Sequence, residues 1–326
     1  MRYSLPTQFA REHPVIRKEY AIYTPPVDEM ISTIGDWIDQ QRSGGYIYGP
    51  SRFGKSRGVK WFVRSVLEER FNTALPLVVW SHVPDIHSSE AVFWHELLLA
   101  GNFEFENFSR IRRKTDGRQL FIERLVSLAR SCRNNFIVLI IDEAQDILLK
   151  EWKWLIGLQN ALDLRGYRLS VFSIGSHQLG YQHTFTSRTG NAHISARFFS
   201  AHKRFKGIAN EEDVNFVFVG YDRESEWPKG SRRTFLEYFA GEDYKRGCRL
   251  ANCTSDVWAA MNEICPTLKA DEREYPMENL VTAIEQVLFL LASGTDWTEA
   301  TSKAQWHTFL SDFGLERRMK TITTPV

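Results

Sequence analysis

The chain has little of what marks a secreted, membrane-bound or metal-stapled protein. Its 326 residues include four cysteines, Cys132, Cys248, Cys253 and Cys265. None forms a CxxC pair or lies at zinc-finger spacing from histidines, so the pattern excludes a disulfide scaffold and points to reduced thiols in a cytoplasmic protein. No apolar run approaches the roughly 20 residues that span a bilayer. The opening MRYSLPTQFAREHPV has no apolar segment of signal-peptide length. No membrane partner is expected, and the sequons at Asn107 and Asn252 read as chance. Net charge is also missing, with 41 basic against 40 acidic residues, or +1. No overall field draws the chain to nucleic acid, so any such contact must come from a local patch or from repeated subunits. His95-Glu96 begins like a zinc-protease helix, but Leu99 stands where the second histidine would be. There is no GxSxG elbow, and no GxGxxG at a strand-to-helix turn.

Apolar residues are plentiful at 43%, enough for a sizeable core. The length suits two modest domains, or one α/β domain with a helical appendage. Short apolar runs at 46–48, 75–82, 135–146 and 168–176 read as buried strands. Periodic segments at 27–42, 56–70, 88–100, 117–132 and 150–165 read as helices between them. Alternation of this kind predicts an α/β fold with a parallel sheet covered on both faces. Beyond about residue 210 only helical patterns remain, at 211–220, 231–242, 254–264, 277–293 and 298–313. The expected organisation is an arm or first helix over 1–26, an α/β core over 27–209, and a helical lid with a partner-binding tail over 210–326. The ten tryptophans, among them Trp152, Trp154, Trp258, Trp297 and Trp306, fall on helical faces and read as packing residues.

The first run of 46–48 leads into Gly49-Pro50-Ser51-Arg52-Phe53-Gly54-Lys55-Ser56, which fits GxxxxGK[ST] at every fixed position, with Arg57 next in the following helix. Glycines let such a loop curl so that backbone amides face phosphate oxygens. Lys55 then reaches the β- and γ-phosphates and the Ser56 hydroxyl coordinates magnesium. The bland alternative is a tight turn with a surface lysine. The six apolar residues Phe136–Ile141 run into Asp142-Glu143. An acid pair at a buried strand end has a clear purpose beside a phosphate loop, with Asp142 for the metal and Glu143 for the attacking water. Otherwise the two acids merely cap the next helix.

Weaker signals follow. Ser176 ends the fourth strand, where it could sense the γ-phosphate, with His177 as the alternative. Arg197 and Arg204, just before the last strand, are two candidates for an arginine that enters a neighbouring subunit's site. Arg249, one turn into an expected lid helix, could reach the γ-phosphate in cis, with Arg246 as its alternative. Each of these can equally be an ordinary turn or surface residue. A basic run over 109–118, Arg110, Arg112, Arg113, Lys114 and Arg118 with the Thr115 hydroxyl, has little opposing charge and could track DNA phosphates, gaining strength when repeated around a ring. It can also be a solvated helix end. KGSRR (229–233) and ERRMK (316–320) are further basic spots.

The order of phosphate loop, acid pair, polar strand end, arginine and lid arginine resembles the AAA+ ATPases. Within them the chain is similar to transposition regulators of the TnsC and TniB type, relatives of Mu B. That likeness lies in YIYGPSRFGKS, VLIIDEAQDI with LQNALD, FSIGSHQL, ARFF…RFKGI, and the tail stretches YPMENLVTAIEQVLFLL and WHTFLSDFGL. The resemblance implies a five-stranded parallel P-loop core with a helical lid, and ATP with magnesium as cofactors. It also implies homo-oligomeric rings of six or seven subunits, or helical filaments, on double-stranded DNA, with a transposase and a target-selecting protein as partners. The other readings are a replication initiator, a clamp or helicase loader, and a signalling NTPase whose lid acts as a switch.

Overall fold

The structure, a computed structural model, describes residues 9–84, 89–102, 114–266, 269 and 273–323. The chain divides into two compact units. A sheet unit holds residues 29–51 and 55–205. A helical unit holds the residues up to 28, Arg52–Gly54 and those from Lys206 onward.

In the sheet unit β1 (Gly44–Tyr48), β2 (Leu77–Ser81), β3 (Phe136–Asp142), β4 (Arg168–Gly175) and β5 (His202–Arg204) form one sheet in the order β2-β3-β4-β1-β5. Every pairing is parallel. Ile137–Ile141 are wholly buried, as expected of a strand with helices on both faces. Helix α2 (Pro25–Asp39) precedes β1, and α3 (Lys55–Trp61), α4 (Val63–Phe71), α5 (Glu90–Ala100), α6 (Lys114–Ser131), α7 (Leu149–Asp163), α8 (Gln178–Arg188) and α9 (Ala192–Phe198) join the strands. Trp94, Phe121, Leu125, Trp152, Leu155 and Leu158 bury their side chains in this core. Truncating one such leucine to alanine costs about 2–5 kcal/mol. The expected helix over 56–70 is divided at Phe62, whose φ of −124° leaves the helical range.

Parallel strands carry all their C-terminal ends to one edge. Register places Tyr48, the last residue of β1, opposite both Gly175 and Arg204, and Asp142 opposite Ser81. The loop after β1 therefore emerges between the ends of β4 and β5. This is the place where parallel α/β sheets bind ligands.

The helical unit includes α1 (Pro14–Arg17) and a bundle of α10 (Glu211–Val219), α11 (Phe235–Phe239), α12 (Gly241–Lys245), α13 (Thr254–Ile264), α14 (Met277–Ala292), α15 (Trp297–Ala300), α16 (Lys303–Asp312) and α17 (Leu315–Thr323). Two stretches that read as single helices are each split by a cap. The Asp296 side chain caps α15 and Ser302 caps α16 by accepting from the Gln305 amide. Thr234 caps α11, and Ala240, whose φ of −134° and ψ of 52° leave the helical range, separates it from α12. Residues 9–24 pack within this unit. The His13 ring stacks on Tyr238 and meets Trp227, Phe235 and Phe239. Tyr20 donates to buried Glu285 at 2.9 Å, and Lys18 pairs with the same carboxylate at 2.6 Å.

All four cysteines are free thiols, and burial pushes Cys253 and Cys265 up to about 11. Trp152 and Trp306 are wholly buried. Among the described residues no helix is long and apolar enough to cross a membrane, and no cluster of histidine, cysteine and acid side chains could hold a metal by itself.

Candidate active site

Gly49 leaves β1 by donating its amide to Gly175 at 3.2 Å. A Cβ at Gly49 would lie 2.7 Å from the Phe205 carbonyl oxygen, so only glycine fits there. Arg52 and Gly54 both take positive φ, 70° and 110°, which curls the loop. Lys55 is buried, and its Nζ donates to the carbonyls of Gly49 at 2.9 Å and Pro50 at 2.6 Å. Burial lowers its pKa to about 8, against the pull of the Glu143 and Asp142 carboxylates. A phosphate's negative charge beside this ammonium would favour its charged form and oppose the effect of burial.

Asp142 ends β3 and accepts from the Glu143 amide at 3.1 Å. Burial raises its pKa, a hydrogen bond from Ser56 opposes the rise, and the Glu143 charge adds to it. Glu143 sits in left-handed backbone, φ 56° and ψ 33°. For a glutamate that conformation costs on the order of 1–3 kcal/mol. It turns the carboxylate back over the loop, where Oε1 accepts from the Ser56 hydroxyl at 3.4 Å. A serine hydroxyl and a buried aspartate beside it are hard oxygen donors of the kind a magnesium ion takes. The buried acid gains most from such a charge, so these residues fit that ion.

Gln145 was not singled out by sequence reasoning. Its Nε2 donates to Glu143 Oε2 at 2.8 Å and to Asp146 at 3.0 Å, and its Oε1 accepts from the Ser176 amide at 3.0 Å. It thus ties the acid after β3 to the residue after β4. Ser176, half-buried, accepts from the Gln178 amide at 3.3 Å. The one signal in the sequence is the amide between acids in Asp142-Glu143-Ala144-Gln145-Asp146.

The arginines separate. Arg197 closes α9, donates to Asn160 at 2.8 Å, and lends its carbonyl to the Ser43 hydroxyl, at the start of β1 rather than its end. Arg204 is exposed and is the last residue of β5, not a residue before it. β5 lies at 202–204, a three-residue edge strand. Arg249 is not one turn into a helix. It is extended, φ −141°, just ahead of the turn Leu250–Cys253 that precedes α13. Its guanidinium lies 3.7 Å over the Tyr244 ring and donates to the Tyr244 and Cys248 carbonyls at 2.9 and 2.7 Å. Arg246 pairs with Asp243 at 2.6 Å. His177 is exposed, with its ring 5.6 Å from Tyr48. Ser51 and Arg57 are exposed, Pro50 buried. Arg110, Arg112 and Arg113 lie outside the described residues, as do the side chains of Lys114 and Thr115.

The bulky loop residues have structural partners in the helical unit. Arg52 holds Glu278 of α14 through both carboxylate oxygens at 2.7 Å, and Arg318 of α17 reaches the same carboxylate at 3.1 Å. Phe53 is buried against Gly207. Beside it is a small recess of about 10 Å³ lined by Pro25, Pro26, Phe53, Ile208, Val217 and Met277 among others.

A core of this topology with this loop is an AAA+ P-loop fold. The family described as AAA domain matches residues 38–180. No curated relative matches the chain. Among solved structures, the Aeropyrum pernix ORC2 protein, in ADPNP–ADP complexes, is similar with a TM-score of 0.53 at 11% identity, over 93% of this chain and 72% of that one. Drosophila ORC bound to DNA gives 0.48 at 14% identity, over 93% and 69%. Cdc6p from Pyrobaculum aerophilum gives 0.43 at 12%, over 92% and 86%.

Proposed function

We propose that the chain is a DNA-binding, ATP-hydrolysing AAA+ protein that regulates transposition, linking target-site selection to the recruitment and activation of a transposase. It would act in the cytoplasm on double-stranded DNA, as a ring of six or seven subunits or a helical filament. The observation that carries the ATPase reading is the meeting of Lys55, Ser56, Asp142 and Glu143 at the exits of β1 and β3. The amides from Gly49 to Ser56, continuing to Arg57, and the Lys55 ammonium would cradle the phosphates. Ser56 and Asp142 would hold magnesium, which when bound supplies charge neutralisation at the phosphate oxygens. Glu143 would orient water and take up its proton. Ser176 would meet the terminal phosphate from β4. Arg249 in cis, and Arg197 or Arg204 from a neighbouring subunit, would stabilise charge on the transferring group.

Support for transposition is the likeness of several sequence stretches to TnsC- and TniB-type regulators, and the run from Arg110 through Arg112, Arg113, Lys114 and Thr115 is the proposed DNA track. The replication-initiator reading is compatible with the same fold. Electron microscopy with magnesium and a slowly hydrolysed ATP analogue, with and without duplex DNA, tests the proposal. Rings or filaments that need both ligands, and that stimulate strand transfer by a transposase encoded beside the gene, are the expected result. A protein that stays monomeric with both ligands, or that loads a helicase and leaves the transposase idle, overturns it.

A further inference from the structure

At the edge of the sheet remote from the phosphate loop, β3, β4 and β1 begin side by side. Arg130 lies in the last turn of α6, Arg133 in the turn to β3, Arg165 in the turn from α7, Arg168 opens β4 and Arg42 precedes β1. The chain folds Arg130, Arg133, Asn134, Asn135, Arg165 and Tyr167 around a cleft of about 550 Å³. Arg133 is fixed there by left-handed backbone, φ 52°. Arg130 donates to the Tyr167 hydroxyl at 3.2 Å and Arg168 to Gln41 at 2.6 Å.

None of these five guanidiniums pairs with a carboxylate among the described residues. Nearby acids of α2 are engaged elsewhere. Asp36 and Asp39 of α2 both bind Arg70, at 2.7 and 2.6 Å. Asp163, in the last turn of α7, makes no ion pair with them. In a chain whose net charge is +1, five uncompensated arginines drawn from three separate turns form a local concentration of positive charge.

We infer that this cleft is a second anion site, one that binds the phosphodiester backbone of duplex nucleic acid without regard to sequence. The inference rests on the DNA-binding reading above and adds a surface distinct from the run at 110–115. Strand starts about 4.8 Å apart set Arg133, Arg168 and Arg42 over roughly 10 Å, a length of duplex axis that carries about three phosphates of one strand. Guanidinium forks suit phosphate oxygens. Asn135, the Asn134 amide and the Tyr167 hydroxyl add the neutral donors that phosphate contacts commonly use.

The test is fluorescence anisotropy of a short labelled duplex across a salt series, with the full chain, magnesium and a slow ATP analogue. Arg130→Gln/Arg133→Gln/Arg165→Gln should weaken binding about 10-fold or more and lower the slope of log affinity against log salt by about 2–3, near 0.9 per lost contact. The same positions changed to lysine should keep most of the slope. Arg112→Gln/Arg113→Gln/Lys114→Gln should leave this contribution in place. DNA-free ATP turnover and the thermal midpoint should be unchanged in the first variant. An unchanged slope in the glutamine triple, with the wild type binding normally, overturns the inference alone. So does loss of binding to anionic phospholipid vesicles with duplex binding intact. A wild type that binds no duplex overturns the DNA reading itself, and the cleft's role with it.

Discussion

Gln145 donates to Glu143 at 2.8 Å while its other amide atom accepts from the backbone of Ser176 at 3.0 Å. Glu143 would otherwise have little to hold it, since it is exposed and stands in a strained backbone. Gln145 acts on it as a positioning residue. Gln145→Leu removes both bonds, and Gln145→Glu sets a second carboxylate beside the first. Each should lower kcat for ATP about 10-fold to 100-fold, the usual cost of misplacing a catalytic group by an ångström, with KM within a few-fold. Steady-state turnover separates the two constants. An equal loss through KM would show that the bridge shapes nucleotide binding and not the acid.

Glu143→Gln keeps the side chain's size and its bond from Ser56 but removes the proposed base. Nucleotide binding should persist while hydrolysis falls by about 10²-fold or more. Complexes on DNA should outlive those of the wild type. Turnover within a few-fold of wild type would take Glu143 out of the reaction.

Lys55→Ala removes a buried ammonium that now donates to two loop carbonyls. Calorimetry with magnesium-ATP should register no association, and nucleotide-dependent assembly should vanish with it. A variant that assembles with the ATP analogue as the wild type does would separate assembly from this loop.

The strands and the loop were legible because their signals are local. Phe136–Ile141 is a continuous apolar run, and the glycines that Gly49 and Gly54 must be are set by close approach and positive φ. β5 was expected beyond Arg204 and lies at His202–Arg204 instead, since three residues offer no period to read. Gln145 was invisible because its contacts depend on the left-handed turn at Glu143, which no spacing announces. The arginine cleft was hidden for a related reason. Arg42, Arg133 and Arg165 lie far apart in sequence, and only the strand order brings them to one edge. Residues 9–24 looked aperiodic because they hold a single turn of helix, Pro14–Arg17, and their order comes from tertiary contacts.

One of those contacts makes stability depend on pH. His13 is wholly buried, its Nδ1 accepts from the Val15 amide at 3.1 Å, and its Nε2 has no acceptor. The proton of the neutral ring therefore sits on Nε2, and a second proton would displace the Val15 bond. Burial first, and then the Arg233 charge, lower the pKa from 6.5 to about 4. The folded state thus resists protonation that the unfolded chain accepts. The stability is fully present above pH 6.5 and is lost as pH falls from there toward 4, by about 2 kcal/mol at pH 5. Asp222 works in the opposite sense, because burial raises its pKa, so the total slope mixes the two. Comparison with His13→Gln isolates the histidine, since glutamine can still accept from Val15 and does not titrate. Urea midpoints measured from pH 7.5 to 4.5 should converge, the wild type losing its lead over the variant as the pH falls. A constant gap between the two curves would mean that His13 takes up its proton equally in both states, and that the aromatic cage does not keep it neutral.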